Sequence, residues 1–236
     1  MENKSNTCWI CGESATTGEH QQKKTDVKAM FGKGSYKERG VVKKDFDSKN
    51  KSPVQGPNSK ELKYSNNLCT KCNNERTQPH DQAYEKFADY IRNNFLEVKR
   101  SKEINTNLVF GKDKAKREQQ NLFRYFIKAF GCQLNDKGLP VPETLKKALL
   151  GSNFGNEFKV SVCINAEYEE YLQNFPLEGD QDNNGNPVDY FWAQHTGWFT
   201  VVYAYNRAIS HEFGDEWYGK SRKFRTGKLT ASKEPS

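Results

Sequence analysis

The chain lacks any run of about 18 apolar residues, the length that a transmembrane helix requires. Residues 1–7 are polar and contain no apolar segment of the kind that a secretory signal peptide needs. Internal repeats and heptad patterns are absent as well. Hydrophobic residues make up only 34% of the 236 positions, which is typical of a soluble globular protein with long polar loops. We therefore expect a cytoplasmic protein with no membrane partner.

Acidic residues are scarce in one part of the chain, and the positive charge is concentrated there. The segment 21–68 contains twelve lysines and arginines but only five aspartates and glutamates. Its excess of seven equals the net charge of the whole chain, +7. Such a basic segment favours a polyanion, most often a nucleic acid, as partner. A solvated lysine-rich loop accounts for the charge equally well, so charge alone does not decide between the two.

Cysteines are also few, and four of the six occur in two C-x-x-C pairs. The paired residues are Cys8, Cys11, Cys69 and Cys72. In a reducing compartment such pairs indicate metal binding rather than disulfides. Four thiolates complete the tetrahedral shell of one Zn²⁺ and leave no open position, so we predict a structural zinc. Cys132 and Cys163 stand alone, and we expect them to be buried free thiols.

An acidic residue and a histidine follow the first cysteine pair, and asparagines flank the second. The acidic residue is Glu19 and the histidine is His20. The asparagines are Asn66, Asn67, Asn73 and Asn74. This order resembles the HNH, or ββα-metal, endonucleases, in particular the recombination endonuclease VII branch with its C-x-x-C, Asp-His and C-x-x-C-Asn motifs. The resemblance covers about residues 8–90. This sequence departs from the family pattern in three ways. Glu19 stands where the family commonly has Asp, and the gap from His20 to Cys69 is longer than in compact members. The middle Asn, Asn66 or Asn67, also lies closer to Cys69 than the family's middle Asn does.

The resemblance implies roles in cutting a phosphodiester bond. His20 would be the general base, because an ordinary imidazole with a pKa of about 6.5 can accept a proton from water at neutral pH. Glu19 and Asn73 would supply oxygen ligands to a catalytic Mg²⁺ or Mn²⁺. Asn67, or alternatively Asn66, would hold the loop that orients His20.

Three further residues after the second cysteine pair are candidates for the same site. Asn74 would be a metal ligand if the helix register differs by one residue. Arg76 would bind the scissile phosphate with two hydrogen bonds. His80 is either a further metal ligand or phosphate contact, or merely a member of the group that caps the next helix, and the two interpretations are evenly balanced.

The periodicities predict an α+β protein in two parts. Residues 1–100 would form the zinc-stapled HNH module. It would contain a short strand ending near Glu19, a mostly loop segment 21–60 and a second short strand. A helix from Asn73 would restart near Pro79, with Thr77 as N-cap, and extend to about Val98. Residues 101–236 would contain a helix capped at Gly131, a helix over 142–150, and a small antiparallel sheet from 158–164, 190–194 and 198–205.

The role of the C-terminal part stays open. Its aromatic and basic side chains fit nucleic-acid or protein-partner recognition, or homo-oligomer formation, but a β-sheet core with a basic tail accounts for them as well. The favoured function is a metal-dependent DNA endonuclease or nickase of the kind found in phages, mobile elements or antiviral defence. The alternatives are a zinc-stapled nucleic-acid-binding module without catalysis and an interaction protein with a vestigial HNH part.

Overall fold

Helices and strands alternate irregularly along the chain. The computed structural model describes residues 7–45, 51–151, 154–170 and 172–229. The helices are α1 (Lys24–Phe31), α2 (Gln78–Asn93), α3 (Phe95–Ser101), α4 (Thr106–Phe110), α5 (Ala115–Asp136) and α6 (Glu143–Leu149), with short 3-10 helices at Lys37–Arg39, Lys60–Leu62 and His211–Phe213 and a π-helix at Lys71–Arg76. The strands are β1 (Val42–Asp45), β2 (Lys51–Pro53), β3 (Glu103–Asn105), β4 (Phe158–Asn165), β5 (Leu172–Asn174), β6 (Glu178–Gln181), β7 (Pro187–His195), β8 (Phe199–Tyr205), β9 (Lys223–Arg225) and β10 (Gly227–Leu229). This mixture confirms the predicted α+β class.

One eight-stranded sheet dominates the fold. Its order is β10-β4-β8-β7-β5-β1-β2, with β6 paired to β7, and a separate two-stranded sheet joins β3 to β9. The β4–β8 and β7–β8 pairs are antiparallel, and the β7–β8 hairpin runs from Tyr190 opposite Tyr205 to His195 opposite Thr200, as predicted. The β10–β4 and β1–β5 pairs are parallel. The sheet is therefore larger than predicted and mixed, because short segments from the N-terminal half and the C-terminus extend the two edges.

Strand β8 lies at the centre of the sheet and is buried along its whole length. Its side chains point alternately to the two faces of the sheet and pack into two different hydrophobic clusters, as the two-residue period of a strand requires. Tyr203 belongs to the main core and stacks on Phe130 of α5, with ring centroids 5.9 Å apart. Val202 and Ala204 face a smaller cluster with Ile209. Both faces of β8 are thus covered.

Helix α5 is the central helix of the core, and the prediction that Gly131 caps it is wrong. The helix continues to Asp136. A Cβ atom at Gly131 would lie 2.5 Å from the indole ring of Trp9, far inside van der Waals contact. Glycine is therefore required at this point by close packing rather than by a helix end, and Trp9 of the first cysteine pair lies directly on the middle of α5.

Two details of the helices after the second cysteine pair also differ from the prediction. Thr77 makes no side-chain cap for α2; its hydroxyl donates backwards to the carbonyl oxygens of Cys72 and Asn73, at 3.0 and 3.1 Å. The predicted helix through Val98 breaks at Asn94, whose side-chain amide donates to the carbonyl oxygen of Tyr90 at 2.8 Å. In both cases a short polar side chain competes with the backbone for helical hydrogen bonds.

The basic segment 21–60, predicted as mostly loop, contains helix α1 and strands β1 and β2. Tertiary contacts stabilise α1 despite its polar sequence. Asp26 is buried and accepts hydrogen bonds from the guanidinium of Arg92 and, at 2.6 Å, from the hydroxyl of Tyr84. Val27 and Met30 pack in a small cluster of their own. The sequence pattern of this segment alone does not reveal that Arg92 and Tyr84 of α2 bond Asp26.

A single hydrophobic cluster joins the two halves of the chain. It includes Trp9 and Leu68 from the cysteine segments, Phe87 of α2, Phe126 of α5 and Trp217 near the C-terminus. Cys132 and Cys163 are buried free thiols, as predicted. The proposed division near residue 100 stays a prediction. Within the described residues, no helix is both long enough and apolar enough to cross a membrane.

Candidate functional site

The four paired cysteines come together in space. Their Sγ atoms all lie within 4.8 Å of one another, and those of Cys11 and Cys69 are 3.7 Å apart. Four sulfurs at about 2.3 Å from a tetrahedral Zn²⁺ are roughly 3.8 Å from each other. The spacing therefore fits one metal ion with four thiolate ligands, which confirms the predicted metal-binding cluster.

Two local turns position the thiols. In the first, Gly12 takes a left-handed φ of 79° and donates its N–H to the carbonyl oxygen of Cys8 at 2.8 Å. In the second, Cys69 precedes the π-helix that contains Cys72, and the N–H of Cys72 donates to the Cys69 sulfur at 3.4 Å. Both turns use backbone N–H groups to fix the cysteine segments, and three of the four cysteines are buried whereas Cys11 is exposed.

The ionisation state of the thiols depends on whether a cation is bound. Burial raises the pKa of Cys72, and hydrogen bonds with Cys11 and Cys69 raise it further. The thiol is therefore protonated at neutral pH unless a positive charge compensates the thiolate. Arg76 contributes one such charge, since its Nη1 donates to the Cys72 sulfur at 3.2 Å. A divalent ion would deprotonate all four thiols and couple its binding to folding.

Two extended segments run antiparallel beside the cysteine cluster. Thr17 bridges to Leu68 and His20 bridges to Lys63, in place of the two regular strands that the sequence predicts. The N–H of Tyr64 donates to the carbonyl oxygen of Glu19 at 2.9 Å. The π-helix and α2 follow directly, so the chain order is extended segment, extended segment, helix. We call the paired segments 17–20 and 63–68 the ladder.

The ladder has an inner and an outer face. Glu19 and Tyr64 are buried, with 8% and 6% of their surface exposed, whereas Lys63 is exposed. Side chains opposite each other in an antiparallel pair lie on the same face, so Lys63 and His20 share the outer face. Glu19 and His20 therefore point to opposite sides, although they are neighbours in sequence.

On the inner face, Glu19 belongs to a closed ring of four charges. Its carboxylate contacts the ammonium of Lys128 on α5 and lies 3.8 Å from that of Lys23. Asp81 on α2 completes the ring, at 3.1 Å from Lys128 and 2.9 Å from Lys23. The side chain of Lys128 is fully buried. We call these four residues the charge ring; it has two charges of each sign and joins the ladder, α2 and α5.

The charge ring keeps Glu19 ionised. Burial raises the pKa of its carboxyl group, but the ammonium groups of Lys128 and Lys23 outweigh burial and lower the pKa to about 2. For Lys128, burial lowers the pKa, and the carboxylates of Glu19 and Asp81 more than offset that effect. Glu19 also accepts the backbone N–H of His20 at 3.0 Å. Its oxygens are thus already bound to cations, and its role as a Mg²⁺ ligand stays a prediction.

His20 lies half-buried at the end of the ladder. Its Nε2 is inaccessible to solvent and makes no hydrogen bond within the described residues. Burial lowers the pKa of the imidazole; Glu19 raises it, and Lys63, Lys23 and Lys24 lower it further. The net effect is a lowered pKa, so His20 is neutral at pH 7 and can accept a proton.

The asparagines occupy distinct positions. The side-chain amide of Asn73 donates to the hydroxyl of Thr17 at 3.2 Å, which ties the π-helix to the ladder. Asn67 is buried and donates to the carbonyl oxygen of Cys132 at 3.3 Å. Asn66 and Asn74 are exposed. Of the two candidates for the middle residue, Asn67 is thus the buried one, and its role in orienting His20 stays a prediction.

Arg76 and His80 differ in their surroundings. Arg76 is exposed, and one of its nitrogens contacts the cysteine cluster. His80 is buried in the first turn of α2. Burial lowers its pKa to about 4, and the charges of Arg124 and Lys128 add to that effect. His80 is therefore a neutral, interior imidazole beside the charge ring.

The sequence analysis missed three members of this site, namely Lys23, Asp81 and Lys128. One signal for them was present: Lys128 interrupts the apolar run 125–130 on a helix face that is otherwise buried. A lysine at such a position requires an acidic partner, because an isolated buried ammonium is very costly.

Comparison of the chain with protein-family models, with curated proteins and with solved structures gives no match.

Proposed function

We propose that this protein is a metal-dependent HNH-type endonuclease or nickase that hydrolyses phosphodiester bonds in DNA, and that its four-cysteine cluster binds a structural zinc ion. The observation that carries the proposal is the position of His20. It lies half-buried at the end of the ladder with a lowered pKa, and its Nε2 is inaccessible to solvent and makes no hydrogen bond among the described residues. The ladder is followed by a helix that the cysteine cluster holds beside it.

The chemistry assigned to His20 is that of a general base. Its neutral imidazole takes the proton of the water that attacks the phosphorus atom. The backbone N–H of His20 is held by the carboxylate of Glu19, and that carboxylate is fixed in turn by the buried Lys128. Glu19 thus orients the base from the inner face. Zinc would keep the two cysteine turns, and hence the ladder and the helix, together.

The proposal retains a divalent cation as activator but assigns it differently. The chemistry that Mg²⁺ or Mn²⁺ would supply there is stabilisation of negative charge on the leaving oxygen. Glu19 is occupied by Lys128 and Lys23, so Asn73 is the remaining candidate ligand close to the ladder. Its amide nitrogen bonds Thr17, about 10 Å from His20 along an extended segment at roughly 3.3 Å per residue.

The test is cleavage of supercoiled plasmid by zinc-loaded protein with added Mg²⁺ or Mn²⁺. His20→Ala should lower the rate by about 10²- to 10⁴-fold, the usual contribution of a general base. DNA affinity and zinc content should stay unchanged, because the imidazole acts on water in the transition state. His211→Ala is the matched control, since His211 is an exposed histidine in a short 3-10 helix; it should cleave like the wild type.

A second variant separates the base from the cation ligand. Asn73→Ala should also lose activity and should recover part of it at high Mn²⁺, because a ligand and not the base is missing. His20→Ala should not recover. A protein that cleaves equally well without His20 would show that the active site is assigned to the wrong residues.

A specific observation also favours the second candidate, a zinc-stapled nucleic-acid-binding module without catalysis. The carboxylate that the HNH resemblance assigns to the metal is neutralised by two lysines. Absence of cleavage of any DNA or RNA by zinc-loaded protein with Mg²⁺ or Mn²⁺, combined with salt-dependent binding, would make this candidate the better one.

A further inference from the structure

The outer face of the ladder presents basic groups around His20. Lys63 is directly opposite His20 in the antiparallel pair and is exposed. Its neighbours Leu62 and Tyr64 are buried, so the alternation of the segment directs Lys63 outwards. The side-chain amide of Gln21 donates to the Lys63 carbonyl oxygen at 3.1 Å, which fixes the backbone at this position. A cation is thus held next to the imidazole.

Lys24 is a second basic residue close to His20. It begins helix α1, four residues after His20, and is partly exposed. Both Lys24 and Lys63 lie close enough to His20 to lower its pKa. Neither lysine has an ion pair with any residue in the described ranges. Both lysines therefore act on the imidazole as positive charges that no ion pair among the described residues neutralises.

The neighbouring lysines of the basic segment are not equivalent to these two. Lys23 belongs to the charge ring through Asp81 and Glu19. Lys43 donates to the carbonyl oxygen of Glu61 at 3.0 Å and contacts the side chain of Gln21. These two lysines are occupied inside the protein, so the overall basic charge of the segment is not spread evenly over a binding surface.

We propose that Lys63 and Lys24 form a phosphate-binding site beside His20, and that its ligand is a phosphodiester group of a nucleic-acid strand. This assignment rests on the proposed function for the identity of the ligand. An anion bound by these ammonium groups forms charge-assisted hydrogen bonds with them. It also places a phosphorus atom next to the imidazole that the proposed hydrolysis requires.

The test measures binding in the absence of added Mg²⁺ or Mn²⁺, so that it does not depend on cleavage. Fluorescence anisotropy with a labelled duplex gives the affinity between 50 and 200 mM salt, roughly the range in which phosphate contacts are lost. The double variant Lys24→Gln/Lys63→Gln should flatten the slope of log K against log salt by about 1.8, since each phosphate contact contributes about 0.9.

The matched control removes two other lysines of the same kind. Lys86 and Lys116 are exposed and form no ion pairs in the described part of the chain. Lys86→Gln/Lys116→Gln lowers the net charge equally and should leave the slope unchanged. All four substituted positions are at least partly exposed, so circular dichroism and zinc content should match the wild type for both variants.

A second measurement locates the site. Inorganic phosphate added at constant pH should shift the NMR resonances of the His20 imidazole in the wild type and in the control variant. His20→Ala identifies these resonances among those of the four histidines. The shift should be lost in the Lys24→Gln/Lys63→Gln variant, because the anion is no longer held next to the ring.

The outcomes separate this inference from the proposed function. Equal slopes for the two double variants, or no response of His20 to phosphate, would overturn the phosphate site. A protein that cleaves DNA but keeps its full salt slope after loss of both lysines would also overturn it. A protein that binds as expected but cleaves nothing would support the site and reject the hydrolytic activity instead.

Discussion

The substitution Lys128→Met tests the charge ring directly. The Lys128 side chain is completely buried and contacts both Glu19 and Asp81. The ring of two lysines and two carboxylates is neutral, and loss of Lys128 leaves one uncompensated negative charge inside it. Glu19→Gln leaves one uncompensated positive charge instead. Each single change should lower the free energy of unfolding by roughly 3–5 kcal/mol, the usual cost of breaking a buried ion pair.

The double variant Glu19→Gln/Lys128→Met should be more stable than either single variant. It restores neutrality, because Lys23 and Asp81 remain paired at 2.9 Å. We expect a coupling energy of about 2–3 kcal/mol between the two positions, within the range found for residues in one network. Urea unfolding of zinc-loaded protein measures it, provided that the slopes of the transitions agree.

An exposed ion pair of the same protein serves as the control. Lys223 and Glu103 are 2.9 Å apart, and their side chains are 60% and 40% exposed. The same double-variant comparison there should give at most about 1 kcal/mol, since solvent screens the pair. If Glu19 and Lys128 show no more coupling than this control, the charge ring does not stabilise the fold and the reasoning is refuted.

The pH dependence of the same pair has a definite sign. The folded-state pKa of Glu19 is lowered to about 2 from an ordinary 4.5. Its contribution to stability is therefore fully present above about pH 4.5 and is lost as the pH falls towards 2. The penalty of Glu19→Gln should shrink over that interval, as measured by urea unfolding at each pH. A penalty that stays constant down to the lowest pH would contradict the ionised state of Glu19.

Two further predictions concern the metal cluster and its packing. Protein purified without chelator should contain one zinc per chain by elemental analysis, and Cys69→Ser should lose the metal and much of the stability. Cys163→Ser is the control and should keep its zinc, because Cys163 is a buried free thiol elsewhere. Full zinc content in Cys69→Ser would reject the cluster as the binding site. Gly131→Ala should lower the free energy of unfolding in urea by about 1–3 kcal/mol, because the added methyl group would overlap the Trp9 ring. Adding Trp9→Leu should recover part of this loss. Additive effects of the two substitutions would show that the contact is unimportant.

Features that depend on local patterns were predictable from the sequence. The spacing of Cys8, Cys11, Cys69 and Cys72 predicted the metal cluster, because the tetrahedral chemistry of a thiolate-bound ion requires two tight turns of this kind. The alternation in 190–205 predicted the β7–β8 hairpin, and the apolar stripe of 122–130 predicted α5. The proposed roles of Glu19, His20 and Asn73 rested on motif order and are still predictions.

The tertiary structure alone decided what these residues touch. Glu19 and His20 are adjacent in sequence, yet one side chain enters the charge ring and the other faces Lys63. Gly131 has the sequence signature of a helix cap, yet its role is to admit Trp9. Periodicity reports that a position is buried, but the partner comes from another part of the chain. Whether a carboxylate is available to a metal or neutralised by a lysine therefore depends on long-range packing, which no local pattern contains.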